Sequence, residues 1–355
     1  MAVFSRQQVE QVAAALAIGA GGGGAFWWLG LPAPWLAGAM VAVAAAALAG
    51  KIRTVMPKSL TRFVFILLGL QIGGAVTPET LETLSRWPLS VALLAATMAI
   101  LVVAGVLYYE RVLRWDRATS FFAVMPGALS LALAMAADTR ADLARVSVVQ
   151  VIRLFALVAV LPSLITAFSG GDDAAQGAML AEPGSLRDVI LVLAAGLVAG
   201  FVFDRLRVPA GLMLGPALAS GAMHLTGVVH GVLPDWVLLP AFVFLGTMIG
   251  MRFAGVRPGD LAKLSGAALS GLALAMAISL AGAGLVSWLL GIPFAHTLLA
   301  FAPGGLEAMT ILAFALNLDP AYVGGHQIAR YVMIALAMPL LWTLVRGRRG
   351  GEDGE

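Results

Sequence analysis

Long apolar blocks alternate with short polar connections along the whole chain. In the first half the blocks fall at about 9–30, 33–50, 59–76, 87–109, 118–137 and 146–168. In the second half they fall at about 187–203, 208–226, 236–251, 264–290, 295–316 and 324–345. Blocks of this length predict helices that cross or enter a bilayer. The short alternating segments of a membrane barrel do not occur. No connection is long enough for a soluble domain. At the N-terminus Glu10 and several glutamines precede the first apolar run, so a first membrane helix is expected there rather than a signal peptide.

The blocks come in two sets. "MPGALSLALAMAADTRADLARVSVVQVIRLFALVAVLP" (125–162) aligns with "APGGLEAMTILAFALNLDPAYVGGHQIARYVMIALAMP" (302–339) at a constant offset of 177 residues. The offset pairs Pro126 with Pro303, Gly127 with Gly304, Asp142 with Asp319, Gln150 with Gln327 and Arg153 with Arg330. Upstream it pairs "LPAPWLAG" (31–38) with "VPAGLMLG" (208–215), and Gly69 and Gly73 with Gly246 and Gly250. Matches among Ala and Leu are cheap, whereas matched Pro, Gly, Asp, Gln and Arg at one offset indicate a duplication. The expected organisation is a first membrane repeat over 1–170, an extracytoplasmic linker over 171–186, a second repeat over 187–345 and a cytoplasmic tail over 346–355.

Composition agrees with the pattern. Apolar residues make up 61% of the 355-residue chain and charged residues 12%, where a soluble domain carries about 25%. The charges also carry orientation. Connections 51–62, 110–117, 204–207 and 252–263 and the C-terminal tail are basic, whereas 77–88, 169–185, 226–236 and 291–296 are acidic or poor in charge. All the basic sites can lie in the cytoplasm only if segments 118–137 and 295–316 enter and leave on one side. The predicted fold is therefore all-α: two inverted repeats of about five transmembrane helices each, plus one Pro-Gly broken or re-entrant element per repeat. Both termini are then cytoplasmic, in a bacterial inner membrane.

Each broken element carries Pro-Gly at its centre, where backbone groups lose their intrahelical partners. Such breaks persist in a membrane only where they are buried in protein or line a cavity, and a pair of them in inverted halves points to a binding site. Arg153 and Arg330 lie inside apolar runs, at a cost of roughly 2.5–3.5 kcal/mol each at the centre of a span, so both should face inward toward partners. Gln150 and Gln327 lie three residues before them and share their helix face. The candidate anion-binding set is Pro126, Gly127, Ser130, Gln150 and Arg153, with Pro303, Gly304, Gly305, Gln327 and Arg330. The alternative is that each arginine forms an ion pair with Asp142 or Asp319, eleven residues earlier. Glu307 follows the Gly-Gly break, while its counterpart Ser130 is neutral. A lone membrane carboxylate can bind Na⁺ or carry a proton, or can neutralise Arg330. Glu307, His326, Asp319 and Asp142 form the candidate ion-coupling set.

The duplicated "PGxL…D…Q(V/I)xR" unit, with "APGGLEAM" and "GGHQIAR" in the second copy, resembles the bacterial membrane AbrB family over about residues 10–345. That family is distinct from the DNA-binding regulator sharing its name, and its members carry labels as transcriptional regulators and as ammonia monooxygenases. The resemblance implies a polytopic inner-membrane protein. Here the first copy departs from the fuller motif at Ala128 and Ser130.

The chemistry narrows the function. The chain has no cysteine, which excludes disulfides and thiolate metal sites, and its four histidines form no chelating pair. A metal monooxygenase is not expected, nor any other enzyme, and no cofactor or nucleic-acid partner is implied. The expected function is secondary transport of a small organic anion by alternating access, coupled to Na⁺ or H⁺, with the lipid bilayer as the surroundings and a homodimer as an admissible assembly. The alternative is a membrane sensor that affects gene expression through a partner.

Overall fold

The computed structural model describes residues 6–76, 87–126, 129–168, 184–208, 210–231, 233–316 and 318–347. Described residues of the first half form α1 (Arg6–Trp28), α2 (Pro34–Leu48), α3 (Lys58–Gly74), α4 (Trp87–Arg111), α5 (Arg117–Val124), α6 (Leu129–Ala137) and α7 (Leu143–Phe168). Those of the second half form α8 (Leu186–Arg205), α9 (Gly211–Leu225), α10 (Asp235–Gly250), α11 (Pro258–Leu290), α12 (Phe294–Phe301), α13 (Leu306–Ala315) and α14 (Pro320–Gly347). A 3₁₀ turn, Met251–Phe253, follows α10, and the described residues contain no strand. The protein is all-helical.

Among the described residues, five helices are long and apolar enough to cross a membrane: α4, α7, α8, α10 with its following turn, and α11. These dimensions are those of a multi-pass membrane protein. The 15-residue helices α2 and α9 are about 22 Å long at 1.5 Å per residue. That is short of a hydrocarbon core of about 30 Å. Much of α2 is buried in protein, including Leu36, Ala37, Gly38, Ala39 and Met40, so its length is set by its neighbours rather than by lipid.

The offset of 177 reappears in the backbone. It relates α2 to α9 and α5 to α12 at both ends. It also relates the left-handed residues in pairs: Gly30 (φ 65°) with Arg207 (56°), Ala33 (50°) with Ala210 (56°), Gly50 (75°) with Gly227 (70°), and Arg114 (55°) with Gly291 (66°). The turns between helices thus share left-handed positions in both halves.

Small residues let the helices of one half pack on those of the other. A Cβ added at Gly69 of α3 would lie 3.0 Å from the Met213 Cα of α9, and one at Gly73 2.7 Å from the Gly221 nitrogen. The matching pair on α10 meets α2: a Cβ at Gly246 would lie 3.0 Å from the Met40 nitrogen, and one at Gly250 2.9 Å from that of Ala44. Each helix therefore runs in the same direction as its partner from the other half, and only glycine permits the approach. Within the first half, Gly22 and Gly23 of α1 allow a similar approach to Gly38 and Trp35 of α2. The loop after α2 places Ile52 in a small apolar cluster with Met251 and Phe253, so α3 begins at the end of the molecule where α10 finishes.

Candidate functional site

Helices α5 and α12 end for a shared local reason. Met125 and Ala302 precede prolines, and both adopt extended geometry (φ −52°, ψ 116° and φ −56°, ψ 134°). The ring of the following proline disfavours helical backbone at that position. In the second half the chain then crosses Pro303 and Gly304 and restarts at α13, with Gly305 in extended geometry as its first cap. Met125, Pro126, Ala302, Pro303 and Gly304 are all buried. The last carbonyls of both short helices must therefore find partners without water.

The two arginines supply them. Arg153 donates from Nη1 to the Val124 carbonyl at 3.0 Å and from Nη2 to the Met125 carbonyl at 2.8 Å. Arg330 donates to the carbonyls of Ala302 and Gly304, the second at 2.8 Å, and to Gln327 Oε1. The glutamines extend the cap one turn back. Gln150 Nε2 reaches the Phe122 carbonyl at 2.8 Å, and Gln327 Nε2 reaches that of Leu299 at 3.1 Å. Phe122 and Leu299 are themselves related by the offset. The three-residue spacing expected to put Gln and Arg on one face thus serves one purpose in both halves: tying helix α7 or α14 to the carbonyl end of a broken helix.

Arg153 and Arg330 are 8% and 2% exposed, and among the described residues no carboxylate lies within ion-pair distance of either. The alternative pairing with Asp142 and Asp319 is not formed. Asp142 bonds Arg145 at 3.1 Å, and Asp319 Oδ1 accepts from the Ala321 and Tyr322 amides at 2.9 and 3.0 Å, capping the start of α14. Instead each guanidinium sits at the negative end of a short helix, whose dipole and free carbonyls stand in for a carboxylate.

The feet of the first broken element lie together. The Asp142 amide donates to Thr119 Oγ1 at 2.8 Å, joining the start of α5 to the start of α7 across 23 residues. Gly127 lies outside the described residues. Ser130 falls in α6, and its side chain is likewise outside them.

Glu307 stands in the first turn of α13, with no ion pair to Arg330 among the described residues. Its carboxylate curls back over Gly305, 3.3 Å from where a Cβ there would be. It lines a cavity of about 240 Å³ with Phe65, Asp204, Gly211, Leu306 and Tyr331. Asp204, at the end of α8, is paired with Arg62 at 3.3 Å.

Sequence reasoning missed two members of the polar interior. His326 is fully buried, with Nδ1 2.8 Å from the Tyr322 carbonyl and Nε2 2.8 Å from Ser90 Oγ. Ser90 Oγ lies 2.7 Å from the Tyr322 hydroxyl. Neither Ser90 nor Tyr322 stood out, because one serine and one tyrosine in apolar helices carry no periodic signal. The described residues hold no group of three or more His, Asp or Glu side chains placed to bind a metal.

An all-helical multi-pass protein with arginine-capped helix breaks in its two halves is the class these features define. A family model described as "Transition state regulatory protein AbrB" matches residues 5–346, and the chain belongs to that family. An Escherichia coli K12 protein named "Putative regulator AbrB" is 30% identical over 321 residues, covering 88% of this chain and 89% of that protein. A Bacillus subtilis 168 protein named "Uncharacterized protein YhjN" is 29% identical over 307 residues, covering 80% of this chain and 78% of that one.

Proposed function

We propose that the protein is a secondary transporter of the bacterial inner membrane, built from two inverted halves, with Glu307 carrying the coupling cation, H⁺ or Na⁺. The observation that carries this reading is Glu307 at the tip of a broken helix, lining a cavity within the protein. A carboxylate placed there can be charged or neutralised by a cation as the cavity changes side.

Three features support inversion and re-entry. The feet of the α5–α6 element are joined by the bond from Asp142 to Thr119, as expected if it enters and leaves on one side. Helix α10 runs alongside α2 in the same direction, while α3, its counterpart, starts where α10 ends; α3 and α10 are then opposed. Two pairs of left-handed positions set glycine against arginine: Gly30 of the first copy against Arg207 of the second, and Arg114 of the first against Gly291 of the second. A left-handed non-glycine residue costs roughly 1–2 kcal/mol, so arginine at those turns is explained by a cytoplasmic location and glycine by an external one. On this orientation the Glu307 cavity, which reaches Asp204 and Gly211, opens toward the cytoplasm.

The two arginines are committed to carbonyls, and the cavity is lined by carboxylates. The lining suits a cation, or an organic anion that enters with one, better than a free anion. The experiment is flux in proteoliposomes. Proton- or Na⁺-dependent uptake would be screened over a panel of carboxylates and amino acids. Glu307→Gln should abolish coupled flux while leaving the thermal unfolding profile in place. Equal flux in that variant would remove Glu307 from the mechanism, and absence of any flux across the panel would favour a second reading. That reading, a membrane regulator, draws on the regulator names of the family and of the Escherichia coli relative. A transporter whose flux alters expression would satisfy both.

A further inference from the structure

The duplication separates scaffold from chemistry. Gln150 with Arg153 and Gln327 with Arg330 do the same work in both halves. Ser90, Tyr322 and His326 have no such echo, since the offset of 177 sets them against Ala267, Arg145 and Val149. Glu307 likewise faces Ser130. Polar groups kept in one copy only, and buried, call for a purpose other than holding the fold.

Hydrogen placement in this trio is fully determined. The Tyr322 carbonyl can only accept, so Nδ1 of His326 carries its hydrogen toward it. In the neutral ring Nε2 is then a lone pair, which accepts from the Ser90 hydroxyl. The Ser90 oxygen accepts in turn from the Tyr322 hydroxyl. Every hydrogen has an acceptor, at 2.7–2.8 Å throughout. Ser90 and His326 are 0% exposed and Tyr322 3%. A proton arriving at Nε2 takes up that lone pair. Ser90 becomes the acceptor, and one of the two hydroxyl hydrogens is left without a partner among the described residues.

The interface joins the two halves. Ser90 and Trp87 belong to α4, and Tyr322 and His326 to α14. The Trp87 indole packs edge-on to Tyr322 at 5.8 Å and against His326 at 5.9 Å between ring centres. Gly325 lets it sit on the helix backbone, since a Cβ there would be 2.8 Å from the indole. On the other side Phe301, last residue of the broken helix α12, lies 6.4 Å from the His326 ring. The charged and titratable surroundings are few. Asp319, at the head of α14, accepts from the Tyr322 amide at 3.0 Å, and His296 of α12 keeps a buried Nδ1 without a partner among the described residues. Arg330, one turn along α14, is committed to carbonyls. Helix α4 contributes Ser90 and Trp87, α3 and α13 contribute Ile72 and Thr310 beside Gly324, and none of these is charged.

We propose that Ser90, Tyr322 and His326 form a proton-binding latch that closes the outer side of the protein when His326 is neutral and releases α4 from α14 when it takes up a proton. The latch rests on the transporter reading for its purpose and deepens it by naming H⁺ as a coupling ion. The sign follows from linkage: the closed form binds one proton fewer, so the open population rises as pH falls.

The test uses the full chain in lipid nanodiscs, labelled with 5-fluorotryptophan, with the Trp87 resonance identified by its loss in Trp87→Phe. Between pH 8 and pH 5 that resonance should move to a second position and acquire a D₂O isotope shift as water enters. The change in the open-to-closed ratio should be about tenfold, the worth of one buried hydrogen bond. His326→Gln should hold the closed position throughout. Ser90→Ala, or Tyr322→Phe where the serine variant does not fold, should shift the population toward the open position at pH 8. A Trp87 resonance that ignores pH, or that shifts equally in His326→Gln, overturns the latch. A pH-dependent latch without solute flux would overturn the transporter reading alone. Flux lost in Glu307→Gln beside a pH-independent latch would overturn only the latch.

Discussion

Arg330 shows how a buried charge can be accommodated without a counter-charge. Its fork takes the carbonyls of Ala302 and Gly304, the first shared with the Gly304 amide, and Gln327 completes its shell. Removing it leaves the buried Gly304 carbonyl without its arginine donor, at about 1–3 kcal/mol, and leaves the Ala302 carbonyl with the Gly304 amide alone. Arg330→Ala should therefore lower thermal stability by several degrees or prevent folding. Arg330→Lys, a point charge without a fork, should recover only part of the loss. Arg207 poses the opposite case, since its left-handed backbone is unfavourable for any side chain. Arg207→Gly should raise stability by about 1 kcal/mol in a detergent melt, and Gly30→Arg should lower it by a similar amount. Equal melting of all three proteins would show that these turns carry no strain.

At the scale of helices, the molecule depends on close approach between copies. Gly69 and Gly73 of α3 receive α9 while Gly246 and Gly250 of α10 receive α2. There is no space for a side chain larger than hydrogen without moving backbone. Gly73→Val should cost at least the 1–3 kcal/mol typical of overpacking, visible as loss of a monodisperse peak on size exclusion. Gly21→Ala, where a Cβ meets nothing within 4 Å, should behave as the parent. The aromatic residues divide in the same way. Trp27, Trp28, Trp236 and Trp288 are 66–81% exposed at helix ends, as an interfacial belt requires. Trp87, Trp115 and Trp342 instead pack on inner rings.

For the whole molecule, inversion makes a prediction that no single helix can make. The chain contains no cysteine, so single introduced thiols report their side without background. In right-side-out vesicles, Gly30→Cys and Gly291→Cys should react with an impermeant maleimide added outside. Arg207→Cys and Arg114→Cys should react only after the membrane is opened. Residues 30 and 207 are offset-related, so labelling of both from one side would mean parallel copies and would end the transporter reading as proposed.

Much of this architecture was legible in residue order. Apolar blocks predicted helix positions to within a few residues, because burial in lipid leaves the backbone no alternative to helix. Pro126 and Pro303 marked the breaks, because a proline acts on the residue before it whatever surrounds it. The recurrence of Gly, Gln and Arg at one offset pointed to the close approaches and capping groups in both halves. Partnership was not legible. The sequence offered Asp142 and Asp319 as companions for the arginines, yet the arginines face carbonyls 26–30 residues away in the chain. Ser90 meets His326 across 236 residues. Local periodicity decides which face of a helix is polar, but only packing between distant helices decides what that face touches.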